Sequence, residues 1–417
     1  MDKQTKGAWV IHHGRKVAGD VRGAADYSAI DIASKSASLL ARLAESQESE
    51  LSTEQVVAVA RAGGLNPKTE LEACLSQLEA RRVVDRSPSG LAVLGVNGQT
   101  ALLHAADLFE DNDPHPHERA VLDLAELASN APVAAQEAQQ LIGDTHQLAS
   151  AEAGDLLRQS TEIGFVDAEG EGADRLLFNG NLFRRDTAAK TKRVLDSLSQ
   201  QEAAKVAEFE EMLRKQGWIH TATAEQVLGR TLLSKLKAAA LYDMNVVSNE
   251  SGDHVFITSP GAFHKFASPL IEDAFDHAKA LVAALGYGMS ASSATRGRIW
   301  GVDLLLNKLI RGDEVGPAPA IGHDYRALEL ERVVQIRNVG GSYFKMKLLK
   351  REVGEIALQV LRGGNAAAAA LETLPSAGMR SYTAPEEARS RFRKSQSAPS
   401  RAQTQSLLSA MRGGARI

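Results

Sequence analysis

Residues 51–94 read LSTEQVVAVARAGGLNPKTELEACLSQLEARRVVDRSPSGLAVL. Ser52 and Thr53 offer a cap for a helix over 54–62, because a hydroxyl there can accept the orphan amides of the first turn. Gly63 and Gly64 stop that helix. Pro67 suits the first turn of a second helix over 67–81, whose Leu71, Leu75 and Leu78 fall at helical spacing. Val83-Val84-Asp85 and residues 91–94 flank Ser87-Pro88-Ser89-Gly90, which predicts a short hairpin. With the Ala/Leu-rich stretch 32–44 in front, the order is helix, helix, turn, helix, hairpin.

The hairpin pattern recurs, and a repeat constrains architecture before any single residue does. Phe165-Val166-Asp167 precedes a glycine turn and Leu176-Leu177-Phe178. Val246-Val247-Ser248 precedes Ser251-Gly252-Asp253 and Val255-Phe256-Ile257. Val333-Val334-Gln335-Ile336 precedes Gly340-Gly341 and residues 343–348. Between Val84, Val166, Val247 and Val334 the steps are 82, 81 and 87 residues. Helices are expected ahead of each later hairpin, over 117–129, 133–142 and 150–163, then 200–215, 223–228 and 230–241, then 299–310 and 324–330. One more, over 352–361, follows the last. Residues 110–116 and 184–191 read as linkers, and Trp9-Val10-Ile11 before His12-His13-Gly14 as a strand and turn.

Helix-turn-helix followed by a two-stranded flap resembles the winged-helix superfamily, best over 51–94. The resemblance rests on layout and not on signature residues. It implies a mainly α chain with small β-hairpins, of α+β class, built as tandem winged-helix-like domains. These would be 1–110 (an N-terminal segment plus unit 1), 116–183 (unit 2), 192–266 (unit 3) and 267–362 (a helical linker plus a fourth unit). Residues 363–417, rich in Ala, Ser, Arg and Gln, read as a disordered basic tail. The resemblance also implies DNA contact, with a third helix in the major groove and a wing on the backbone or minor groove.

Charge is unevenly placed along the 417 residues. The net charge of −4 hides 28 Lys/Arg against 41 Asp/Glu over residues 1–287, then 12 against 8 over 288–362 and 8 against 2 over 379–417. A polyanion should prefer the C-terminal third, and the acidic first two units should hold a protein partner or a second copy of the chain. No run of about 18 uncharged apolar residues occurs, so no membrane partner is expected, and the location expected is cytoplasmic. The single cysteine, Cys74, shares a helical face with Leu71, Leu75 and Leu78 and reads as a buried structural thiol.

The candidate DNA-binding residues follow from charge. On 230–241, Arg230, Thr231, Ser234, Lys235 and Lys237 stand without a carboxylate, Arg230, Ser234 and Lys237 sharing one face while Leu232, Leu233 and Leu236 take the other. An ordinary solvated basic face is the competing reading. Arg296 and Arg298, in a Gly/Ser-rich stretch from Gly286, could contact a DNA backbone. That stretch matches no nucleotide-binding pattern, since no Gly-Lys-Ser/Thr follows, and reads as a helix end and basic loop. Arg391, Arg393 and Lys394 make the tail a phosphate-seeking arm, a solubilising terminus, or a segment that folds back on the acidic region.

Neither His12-His13 nor His115-Pro116-His117 has the spacing of a metal site with a carboxylate, so no metal is expected. No nucleophile elbow, paired-carboxylate or kinase pattern occurs, and no cofactor or enzymatic activity is expected. The leading reading is a non-catalytic protein that binds double-stranded DNA, a regulator or the DNA-engaging subunit of a larger complex. Its rival is an interaction scaffold whose winged helices contact only proteins, like the winged-helix subunits seated on chromosome-organising ATPases.

Overall fold

Each hairpin foreseen in the sequence closes a separate antiparallel sheet of two or three strands, and the rest of the secondary structure is helical. A computed structural model describes residues 1–18, 25–46, 48–88, 90–266 and 272–366.

The chain begins with α1 (Lys3–Val17). Unit 1 follows as α2 (Ser28–Ala44), α3 (Thr53–Ala62), α4 (Leu71–Ala80), β1 (Val84–Arg86) and β2 (Leu91–Val93), and α5 (Gly98–Asp111) covers it. Unit 2 is α6 (Pro116–Asn130), β3 (Val133–Ala134), α7 (Ala135–His146), α8 (Ser150–Ile163), β4 (Asp167–Glu169) and β5 (Leu176–Phe178), followed by α9 (Arg185–Asp196). Unit 3 is α10 (Gln200–Gln216), β6 (Ile219–His220), α11 (Thr221–Leu228), α12 (Arg230–Ala238), β7 (Asp243–Asn249) and β8 (Gly252–Thr258). Then come α13 (Pro260–His264) and the long α14 (Glu272–Ser290). Unit 4 is α15 (Val302–Ile310), β9 (Val315–Ala318), α16 (Ile321–Asp324), α17 (Arg326–Leu330), β10 (Val334–Gly340) and β11 (Tyr343–Leu348), closed by α18 (Arg351–Gly363).

Units 2, 3 and 4 share one connectivity: helix, strand, helix, helix, strand, strand. In each the first strand lies beside the third, giving sheet orders β3-β5-β4, β6-β8-β7 and β9-β11-β10. Unit 1 keeps the same neighbours in reduced form, Leu51 making a lone bridge to Leu91 on β2.

The units also share a backbone device. Arg82, Gly164, Ala240 and Arg332, at the ends of α4, α8, α12 and α17, have φ of 56°, 90°, 53° and 53°. The amide of the next residue then donates to the carbonyl five back: Val83 to Leu78 at 3.1 Å, Phe165 to Ser160 at 2.7 Å, Leu241 to Leu236 at 3.3 Å and Val333 to Leu328 at 2.8 Å. Such a left-handed step satisfies a stranded helix-end carbonyl and turns the chain toward the hairpin. It aligns Leu241-Tyr242, not Val246-Val247, with the apolar pairs of the other units. The corresponding positions are Val84, Val166, Tyr242 and Val334, with steps of 82, 76 and 92 residues, so the near-even spacing read from the sequence was partly coincidental.

Other expectations are corrected. Trp9-Val10-Ile11 is not a strand but the middle of α1, which Asp2 caps by accepting the Thr5 amide at 2.9 Å. Trp9, Val10 and Ile11 are all buried, and an apolar run enclosed on every side carries no period that separates helix from strand. Residues 184–191 are not a linker: α9 runs through them, burying Ala188 and Thr191, so a boundary at 192 would cut a helix. The linker at 110–116 shrinks to 112–115. The helix expected over 67–81 starts at Leu71, and α5 was not foreseen although Asn97 and Thr100 form its capping box.

Units 1 and 2 share one apolar core, which also takes in Phe266, while units 3 and 4 keep cores of their own. Across the first two runs a buried carboxylate. Glu118 of α6 accepts the amides of Ala29 at 2.9 Å and Ile30 at 3.2 Å through one oxygen and that of His115 at 3.0 Å through the other. It supplies the cap that α2 lacks locally, placing negative charge at a helix N-terminus. Cys74 is buried in this core, where desolvation raises its thiol pKa.

Candidate nucleic-acid interface

The short helix α12 follows Gly229, whose φ of 79° lets the chain turn sharply out of α11. Leu232, Leu233 and Leu236 are buried in the core of unit 3, as their spacing required. The opposite face is open: Arg230, Thr231, Ser234 and Lys237 are exposed, the Arg230 side chain to 89%. Arg230 approaches Glu225 at 3.4 Å, a weak contact for so exposed a guanidinium. Lys237 has no acidic partner among the described residues. Lys235 stands apart, since its ammonium donates to Glu202 at 2.8 Å. That bond is the main reason the Glu202 carboxyl is pulled down to about 2, and it spends the lysine's charge inside the unit.

The β7–β8 hairpin beside α12 is not free. Asn249 at its tip donates to Asp324 at 3.0 Å, Ser251 meets the Tyr287 hydroxyl at 3.2 Å, and Val247 and Phe256 pack on Ala283 and Tyr287 of α14. Arg296 closes the contact. Its guanidinium donates twice to Asp324, at 2.7 and 2.8 Å, and through Nε to Glu250 at 2.7 Å. The Asp324 side chain is 1% exposed and that of Arg296 16%. Arg296 therefore clasps the hairpin tip of unit 3 to α16 of unit 4, and its donors are committed where a backbone phosphate would need them. Arg298, in the loop after α14, remains exposed, its Nε donating to the Met289 carbonyl at 3.2 Å and its guanidinium 4.9 Å from the Trp300 ring centre.

The unit 4 hairpin differs from that of unit 3. Its tip, residues 337–343, is exposed, with Gly340 and Gly341 at φ of 129° and 57° making the reversal. Arg337 pairs with Glu314 at 2.8 Å, Lys345 reaches the same carboxylate at 3.7 Å, and Lys347 is exposed. Sequence spacing does not mark these cations, which are spread over two strands; only the register of β10 on β11, pairing Arg337 with Lys345 and Gln335 with Lys347, brings them together.

No protein-family model, no curated protein and no solved structure matches this chain.

Arg391, Arg393 and Lys394, with the rest of the tail from 367 on, lie outside the described residues. The expected acidic faces of units 1 and 2 keep their charge in local pairs in several places, as in Arg158 with Asp155 and Glu162, and Arg86 with Glu72 and Glu79. His115 and His117 stack on one another, with ring centres 5.5 Å apart. Among the described residues no three His, Cys, Asp or Glu side chains converge as a metal site would need, and no helix is long and apolar enough to cross a membrane. A cavity of about 280 Å³ is lined by Glu126, Glu210, Tyr242 and Lys265 among others. There burial raises the Glu210 carboxyl despite a 3.3 Å hydrogen bond from Tyr242.

Proposed function

We propose that the four units are winged helices and that the chain binds double-stranded DNA chiefly through α12 as a non-catalytic regulator or DNA-engaging subunit. The shared connectivity, with the first strand beside the third, supports the winged-helix reading. The observation that carries DNA binding is the open face of α12, where Arg230, Thr231, Ser234 and Lys237 offer donors for base edges and phosphates with no carboxylate on the helix. The exposed unit 4 hairpin adds Lys347 to the same function, and Arg298 stands ready for backbone phosphate. Arg296 and Lys235, held in ion pairs within the protein, take no part. Units 1 and 2 hold a protein partner or a second copy.

The test is binding of a duplex at two salt concentrations. The double variant Arg230→Ala, Lys237→Ala should weaken binding and shrink the slope of log affinity against log salt by about one for every phosphate no longer neutralised. Absence of duplex binding at low salt would sink the proposal.

One observation favours a second reading, a scaffold that contacts only proteins. The hairpin of unit 3, which in a DNA-binding winged helix would lie along the backbone, is instead clamped against α14 and α16. Leu304 and Leu330 are exposed apolar side chains on unit 4, the kind that protein interfaces cover.

A further inference from the structure

A cavity of about 280 Å³ opens in unit 4 between the segment after α14, β9, α16 and β11. Its walls are apolar, formed by Ile299, Leu305, Val315, Ala318, Ile321 and Met346. Two polar groups on it have donors to offer. Tyr325 lines it with a side chain that is mostly buried, and its hydroxyl makes no hydrogen bond among the described residues. A hydroxyl with no protein acceptor is free to donate to a molecule in the cavity. At the mouth stands Arg298, which has no acidic partner among the described residues and covers one face of Trp300, itself 81% exposed. Asp324 also borders the cavity, but both its oxygens are held by Arg296 and Asn249.

We propose that this cavity binds a small organic acid with an apolar ring body: the ring between the aliphatic walls, a hydrogen-bond acceptor on Tyr325, and the carboxylate on Arg298. The volume falls just short of the about 300 Å³ at which small-molecule sites begin, which restricts the ligand to a small one, and the balance of apolar wall to few polar anchors is typical of such sites. A nucleobase fits less well. Its edge carries several donors and acceptors, and one hydroxyl with one guanidinium at the mouth would leave several of them unpaired against apolar walls. A carboxylate on Arg298 forms the charge-assisted pair that an exposed guanidinium is built for. The site is independent of whether α12 meets DNA.

The probe is 6-acetyl-2-naphthoate, compared with its primary amide, on the full chain labelled with ¹⁵N-tryptophan. Trp9 is buried and Trp218 half-buried, so the exposed Trp300 indole, assigned through Trp300→Phe, reports the mouth alone. The acid should shift that indole resonance saturably and bind more tightly than the amide. Arg298→Gln should weaken the acid about tenfold and leave the amide unchanged, while Tyr325→Phe should weaken both. Arg298 is exposed, so the glutamine variant keeps its fold, which its melting temperature checks. No saturable binding by ~1 mM acid, an unmoved Trp300 resonance, or equal affinity for acid and amide would each overturn the site.

Discussion

His13 faces a buried, largely apolar environment, fully shielded from solvent and stacked on Phe165 with ring centres 4.2 Å apart. Burial holds its pKa well below the ordinary histidine value of 6.5, with the nearby Lys16 charge acting the same way, and only a long 3.5 Å approach to the Val121 carbonyl opposing it. The folded chain keeps this ring neutral while the unfolded chain protonates it below 6.5. Stability is therefore fully present above that pH and falls as pH drops toward the depressed folded value. For one such group the slope approaches about 1.4 kcal/mol per pH unit. Urea midpoints should fall between pH 7 and pH 5.5, and His13→Leu should flatten that dependence; equal pH dependence in the variant would refute the assignment. The sequence placed His12 and His13 in a turn, and the burial of His13 was invisible because the helix that carries it packs mainly on α2 and α5, and also on α6 and on Phe266 beyond unit 3.

At the scale of elements, the left-handed step is where the chain spends conformational freedom. Three of its four copies are not glycine: Arg82, Ala240 and Arg332 hold φ between 53° and 56°. A side chain there costs about 1 kcal/mol relative to glycine. Ala240 is exposed, so Ala240→Gly removes no packing and should raise stability by up to about 1 kcal/mol, partly offset by the looser unfolded chain. Chemical denaturation measures it, and a destabilised variant would show that the step is not strained. The helices of units 2 and 3 were legible because they carry their own punctuation. Ser199 with Glu202 caps α10, and Gly164 and Gly217 end α8 and α10 in left-handed conformations. The first strands of the units were not legible: β3 and β6 hold two residues each, too few to show alternation, and they exist because β5 and β8 offer an edge. A single apolar residue just ahead of a second helix, as with Leu51, Val133 and Ile219, is the faint signal they leave.

Over the whole molecule, the Arg296 clasp decides what units 3 and 4 can do together. It holds a hairpin tip of one against a helix of the other through a carboxylate shut off from solvent. Removing the arginine alone strands Asp324, so Arg296→Gln should destabilise by roughly 3 kcal/mol and open the 249–254 tip to proteolysis, whereas Arg296→Met with Asp324→Leu should recover most of the loss. A silent single variant would mean the clasp is ornamental. Composition could not have revealed it: an arginine in a Gly/Ser-rich loop looks alike whether it awaits phosphate or grips carboxylates placed 28 and 46 residues away. The Leu-inward, cation-outward split of α12 was legible because it lies within nine residues of one helix.

Trp9 packs edge-on against Phe266 at 4.7 Å, and its indole donates to Glu126 at 2.8 Å, beside Lys265 on the same carboxylate. The opening helix thus finds its final neighbours roughly 250 residues downstream, a stretch that a ribosome takes about ten to fifty seconds to translate. During that interval the nascent chain carries an unburied tryptophan face, which makes its emergence, more than its equilibrium, the moment at which this protein is open to being caught by chaperones or lost to aggregation.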